Sequence, residues 1–186
     1  MSWVEVESKI KIKGNYKDVR KRIEKISKFV GKEKKIDDYY TLDFNGYPKK
    51  SLRVRHKGKK RIVNFKQRVS YVKGVHAKNE VEFEVSDLSG FYDLLKEFGF
   101  KKWIRKEKTT YLFKINKNEH IELNYVKNLG WYVEIEILCS KKDIVKARKN
   151  IVDIREKLEL PEKDVQKKGY TKELWELKKV GLIKKI

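Results

Sequence analysis

Cysteine is nearly absent from this 186-residue chain: Cys139 is the only one, so no disulfide can close within it and no cysteine-built metal cluster can form. Proline is almost as scarce, with only Pro48 and Pro161, and no Pro-, Gly- or Ser-rich stretch reads as a linker. The chain therefore reads as a single domain over 1–186, with C-terminal helices from about residue 141 packed on it. No apolar run approaches the ~20 residues a membrane helix needs, and the start, MSWVEVESKI, lacks an apolar signal core. These absences predict a soluble, cytoplasmic protein without a membrane partner. The three histidines (His56, His76, His120) lack metal-ligand spacing, and His56 and His76 read as solvated loop residues. Acid is also in short supply: 27 Asp and Glu face 48 Lys and Arg, a formal charge of +21. Such an excess attracts polyanions, whether nucleic acid, acidic membrane or phosphate-rich small molecules.

What is present is alternation. Along residues 4–12, Val6, Ser8, Ile10 and Ile12 share one face and Glu5, Glu7, Lys9 and Lys11 the other, a period of two that predicts a strand. Val19, Ile23, Ile26 and Val30 recur at helical spacing behind an N-cap at Asn15, which predicts a helix over 16–30. Strands are predicted over 34–44, 52–56, 61–69, 76–85, 101–115, 121–126 and 131–139. Further helices are predicted from a cap at Ser86 or Asp87 to Phe98, stopped by Gly99, then over 141–158 and over 171–179. Strands joined by short turns argue for an α+β fold: an antiparallel, closed or nearly closed β-barrel of about eight strands with helices outside.

The polar faces of these strands are ionic almost throughout. Glu5, Glu7, Lys9 and Lys11 share one; Arg53 and Arg55 another; then Asn64, Lys66 and Arg68; Glu80, Glu82 and Glu84; Lys106 and Lys108; and Glu134 and Glu136. One such face alone reads as an ordinary solvated strand. All of them together, with helices covering the apolar side, point into a wet lumen that binds a ligand. Lysine and arginine neutralise phosphate oxygens, whereas carboxylates repel them unless a divalent cation intervenes. Two glutamates at i and i+2 stand roughly 7 Å apart, a spacing suited to flanking a metal. The chemistry suits a triphosphate held with metal.

Several segments resemble a known family in order along the chain. "VEVESKIKI" is similar to the E-x-E-x-K signature of CYTH proteins, named for class IV adenylate cyclases and thiamine triphosphatases. "DDYYTLDFNG", "SLRVRHKG", "VNFKQ", "NEVEFEVSDL", "RKEKTTYLF", "IELNYVKNLGWYVEIEI" and "KGYTKELWE" resemble its later motifs. The resemblance implies an antiparallel tunnel binding triphosphates with Mg²⁺ or Mn²⁺. It implies Glu5, Glu7, Glu134 and Glu136 as metal ligands and Lys9, Lys11, Arg53, Arg55, Lys66, Lys106 and Lys108 as phosphate ligands. Glu80 and Glu82 would line the lumen, and Lys9 with Tyr40 would activate or orient water. Three positions depart from the family pattern. Asn124 stands where an aspartate metal ligand is usual, Lys108 stands for an arginine, and Gly169 stands for a serine before Tyr170.

Three functions fit. The first is hydrolysis of inorganic triphosphate or an organic one such as thiamine triphosphate. The second is a class IV adenylate cyclase making cyclic AMP and pyrophosphate; here Met1-Ser2-Trp3 lacks the His-Phe element that bacterial cyclases often carry before the first strand. The third is a non-catalytic polyphosphate- or RNA-binding module. No stacked-aromatic RNA motif is visible and lumen carboxylates repel phosphate, so a small triphosphate is the expected partner and nucleic acid is not. Among Trp3, Trp103, Trp131 and Trp175, Trp131 is the candidate to stack on a base or thiamine ring. The resemblance also admits a homodimer.

Overall fold

The computed structural model describes residues 4–43 and 45–182, with the side chains of residues 66–68 excepted. Eight antiparallel strands close into a barrel. In chain order these are β1 (Val4–Lys11), β2 (Lys28–Thr41), β3 (Leu52–Lys57), β4 (Lys60–Val72), β5 (Val75–Glu84), β6 (Lys101–Lys114), β7 (Glu119–Val126) and β8 (Gly130–Cys139). Around the barrel the order is β1-β5-β4-β3-β2-β6-β7-β8, and β1 pairs with both β5 and β8. Closure removes the sheet edges and sends alternate residues of every strand inward.

The helices α1 (Tyr16–Ile26), α2 (Leu88–Glu97), α3 (Ile144–Lys157) and α4 (Tyr170–Lys179) lie outside or at the rim. The main core sits between barrel and helices rather than within the barrel. Val6 and Ile10 of β1, Ile121 and Leu123 of β7 and Val133 and Ile135 of β8 pack against Val19 and Ile23 of α1 and Ile151 and Ile154 of α3. A second cluster joins Leu174 and Trp175 of α4 to Trp103, Ile104, Tyr39 and Tyr47. With the apolar sides taken up outside, the ionic sides have only the lumen to face. Among the described residues, no helix is long and apolar enough to cross a membrane.

The caps match the expected ones. Asn15 Oδ1 accepts from Lys17 N at 3.0 Å, and Asp87 Oδ1 from Gly90 N at 3.0 Å. Gly99 takes φ 77° after α2, where a side chain would be strained. The boundary that differs most lies between α1 and β2. α1 ends at Ile26 instead of Val30, and β2 begins six residues before the expected Lys34. Ser27 turns to extended backbone, and its Oγ donates to Ile23 O at 2.6 Å, closing the helix. Phe29 and Val30 then follow their β preference: Phe29 pairs with Phe113, and Val30 is 49% exposed instead of continuing the helical stripe.

Candidate active site

The lumen is a cavity of about 990 Å³, and its walls differ in sign. On one side register brings carboxylates face to face. Glu122 of β7 lies opposite Glu134 of β8, and Glu134 lies opposite Lys9 of β1. In the next row His120 faces Glu136, and Glu136 faces Glu7. Like charges directly across strands are destabilising, so this arrangement asks for cations. One oxygen each from Glu122, Glu134 and Glu136 lie within 4.8 Å of one another. Lys108 Nζ stands among them, 2.6 Å from Glu122 and 3.2 Å from Glu134, and Lys35 Nζ is 2.8 Å from Glu122.

The electrostatics follow from this crowding. Burial would raise Glu122, but Lys108 and Lys35 more than offset it and hold its carboxyl well below the usual range. Glu136 goes the other way, pushed well above that range first by burial, then by Glu122, Glu5, Glu134 and Glu7. A carboxyl whose burial and neighbours disfavour its charge is one whose ionisation a divalent cation would favour. The all-carboxylate donor set has the oxygen chemistry that Mg²⁺ and Mn²⁺ take, so the residues present fit the metal the resemblance implies.

The opposite wall is cationic. Arg55 grips Asp37 with two bonds of 2.7 and 3.0 Å, Lys106 Nζ is 2.9 Å from Asp37, and Arg53 Nη1 is 3.9 Å away. Asp37 has no exposure. Burial alone would raise its carboxyl, but Lys106, Arg55 and Arg53 bring it well below the ordinary range. It spaces three cations along the lumen wall without lining the cavity itself. Farther round, Arg53 Nη2 and Asn64 both donate to Glu80, and Lys78 is paired with Glu7.

At the rim Lys9 Nζ is 2.5 Å from Glu173 of α4, and Tyr132 donates to the other oxygen of Glu173 at 2.7 Å. Lys9 also sits 4.1 Å from the centre of the Tyr170 ring. Burial lowers the Lys9 pKa below that of an ordinary lysine, and the carboxylate of Glu173 resists the shift.

Glu5, Glu7, Lys9, Arg53, Arg55, Glu80, Glu82, Lys106, Lys108, Glu134 and Glu136 all line the cavity. The side chain of Lys66 lies outside the described residues. Three expectations need correction. Tyr40 does not meet Lys9: it lies on the outer face, its ring 5.8 Å from Tyr92 of α2, and Tyr39 takes the lumen position. The doubled Asp37-Asp38-Tyr39-Tyr40 offers the D-x-Y spacing twice, and a one-residue slip turns a side chain to the opposite face. Lys11 does not line the cavity; its amine stands 5.6 Å from the Tyr132 ring. Asn124 is not set as a ligand. Its oxygen accepts from Thr110 at 2.7 Å, and its amide donates to Glu134 at 2.7 Å and Glu122 at 3.1 Å, so it braces the acidic wall. The histidines are not in loops: His76 is in β5 and lines the cavity, and His56 is in β3, 3.3 Å from Asp38 on the outer face.

Sequence reasoning passed over Asp37, Glu122, Lys35 and Glu173. Parity could have found Glu122, two residues before Asn124 on the same strand face. Glu173 lies in the segment KGYTKELWE that the resemblance marks, but its meeting with Lys9, 164 residues away, is set by the fold.

Solved structures share this architecture. A protein from Pyrococcus horikoshii OT3 is 32% identical, with a TM-score of 0.75 over 89% of this chain and 96% of its own. A proposed adenylate cyclase from Vibrio parahaemolyticus is 18% identical, with a TM-score of 0.79 over 94% and 99%. A proposed adenylyl cyclase from Hippeastrum with a dominant triphosphatase activity is 12% identical, with a TM-score of 0.64 over 96% of both chains. No curated protein matches the sequence. The family model described as the CYTH domain matches residues 4–170, the span from the first lumen strand to the first residue of the rim helix, and the chain belongs to the CYTH family.

Proposed function

We propose that this protein is a metal-dependent triphosphatase, hydrolysing inorganic triphosphate or a small organic triphosphate such as thiamine triphosphate. The observation that carries the reading is the pair of opposed walls in one closed lumen: clustered carboxylates on β7, β8 and β1, and fixed cations on β3 and β6. A chain of phosphates between them meets Arg53, Arg55 and Lys106 on one side. Asp37 holds these cations in place, so little reorganisation is needed when charge develops on the phosphates. When bound by Glu134, Glu136 and Glu122, with Glu5 and Glu7 adjoining, Mg²⁺ or Mn²⁺ supplies neutralisation of phosphate charge and a more acidic water.

Lys9 is the residue placed to orient the attacking water, buried where β1 meets the carboxylates and held by Glu173. Water adds to the terminal phosphorus and gives up a proton to solvent, the P–O bond to the bridging oxygen breaks with its electron pair kept by that oxygen, and the released chain leaves toward the cations. The Hippeastrum protein, similar in fold, also has a dominant triphosphatase activity.

The test is to incubate the protein and Glu134→Gln with triphosphate, thiamine triphosphate or ATP, with and without Mg²⁺ or Mn²⁺. Phosphate, pyrophosphate and cyclic AMP are followed together. Metal-dependent phosphate release, lost in the variant, is expected. Cyclic AMP with equimolar pyrophosphate would establish the cyclase instead, and no turnover of any substrate would end the catalytic reading.

A further inference from the structure

The cavity does not account for the protein's charge. Among the described residues it is lined by nine Lys and Arg and seven Glu, which is +2 of the total +21. Nearly all of the excess therefore lies elsewhere, and one part of the outer surface adds aromatic rings to it. Register aligns Trp131 of β8 with Tyr125 of β7, Tyr125 with Thr109 of β6, and Thr109 with Lys34 of β2. This row crosses four adjacent strands, about 14 Å at the usual strand spacing. At one end Tyr16 of α1 stacks flat on Trp131, centres 3.8 Å apart and planes 5° apart. Tyr125 leans on Trp131 at 5.3 Å and is itself 44% exposed. Beside the row Tyr111 carries Arg20 and Lys32 at 5.3 and 5.2 Å from its centre, and Phe29, 42% exposed, lies under Arg20.

We propose that this outer row, Tyr16–Trp131–Tyr125 with Lys34, Lys32 and Arg20, binds single-stranded nucleic acid, independently of the lumen. Cations beside ring faces are what such a strand uses: phosphates take the charges and unpaired bases stack on the rings with little regard to sequence. Glu107 nearby holds Lys127 at 2.9 Å, and Glu24 holds Arg20 at 2.8 Å, so Lys34 and Lys32 carry most of the attraction for phosphates. A bare polyphosphate has no base for Tyr125, and a duplex has its bases hidden, so the rings select for a single strand. Trp131, stacked by Tyr16 and packed against the core, holds Tyr125 at the surface, and Tyr125 offers the open ring face.

The test uses a fluorescent oligouridylate with a 5′-hydroxyl end, in chelator, so that neither a terminal triphosphate nor a lumen metal contributes. Anisotropy should show salt-dependent binding that Tyr125→Ala weakens roughly tenfold, the scale of one lost stacking partner. Tyr125→Phe should keep it, and Lys34→Ala should lower the salt dependence by about one phosphate contact. Triphosphate hydrolysis should be unchanged in all three, so failure here and failure of the lumen reading are separate results. Equal binding by Tyr125→Ala, or displacement of the oligonucleotide by inorganic polyphosphate as readily as by unlabelled oligouridylate, would reduce the surface to unspecific attraction and overturn the proposal.

Discussion

Asp37 and Glu136 are both buried among charges, and their opposite surroundings give opposite predictions. Asp37 is held ionised by Lys106, Arg55 and Arg53. Asp37→Ala leaves three cations crowded in the lumen wall and should cost about 3–5 kcal/mol by urea denaturation, as for a broken buried pair. Because its pKa is lowered, the stability Asp37 contributes is present above its ordinary value of 3.8 and is lost as pH falls below it. Glu136 has a raised pKa, so in the metal-free protein its contribution worsens as pH rises from 4.5 through the raised value. Glu136→Gln should therefore raise the melting temperature in chelator by a few degrees at neutral pH, with the gain vanishing below about pH 4.5. Equal melting at all pH values would show that Glu136 is not under carboxylate pressure. At this scale the sequence is legible where a face is unambiguous, as in Glu5-x-Glu7-x-Lys9 or Glu134-x-Glu136. It fails where a doubled motif permits two parities, as in placing Tyr40, and where a partner arrives from a remote segment, as Glu173 does.

The elements themselves were largely legible, because each strand carries one apolar and one ionic face and each helix an apolar stripe. The exception at α1 has a physical cause: Val30 keeps the helical spacing, but Ser27 ends the helix and Phe29 and Val30 join the long strand β2. Register was not legible, and register is what sets Glu122 against Glu134 and Trp131 against Tyr125. The helix α4 docks on the barrel rim, chiefly against β6. It is held by Leu174 against Trp103 and Ile104, by Lys178 Nζ donating to Trp103 O at 2.9 Å, and by the Lys9–Glu173 contact. Leu174→Ala should cost about 2–5 kcal/mol for a buried leucine. That loss should fall on α4 first: hydrogen exchange should speed up along Tyr170–Lys179 while β1, β7 and β8 stay protected. Uniform loss of protection across the barrel would mean that α4 is part of the global folding unit.

Over the whole molecule, two kinds of charge strain act on stability, and they respond to different ions. The outer surface carries most of the +21 excess, a repulsion that any monovalent salt screens within a Debye length of about 8–10 Å. The lumen carboxylates are packed too closely for screening to reach them; Glu122, Glu134 and Glu136 place oxygens within 4.8 Å of each other. Lys108 and Lys35 already relieve Glu122, and a divalent cation seated against Glu134 and Glu136 would relieve the rest. At constant ionic strength, therefore, Mn²⁺ at 100 times its dissociation constant should stabilise the protein by about 2.7 kcal/mol, or roughly 5–10 °C in melting temperature. Sodium chloride should stabilise too, but at far higher concentration. The Glu122→Gln, Glu134→Gln double variant separates the two: it should lose the Mn²⁺ shift while keeping the salt shift. If Mn²⁺ moved both proteins alike, the divalent ion would be acting on the exterior, and the carboxylate wall would have to be explained by its lysine partners alone.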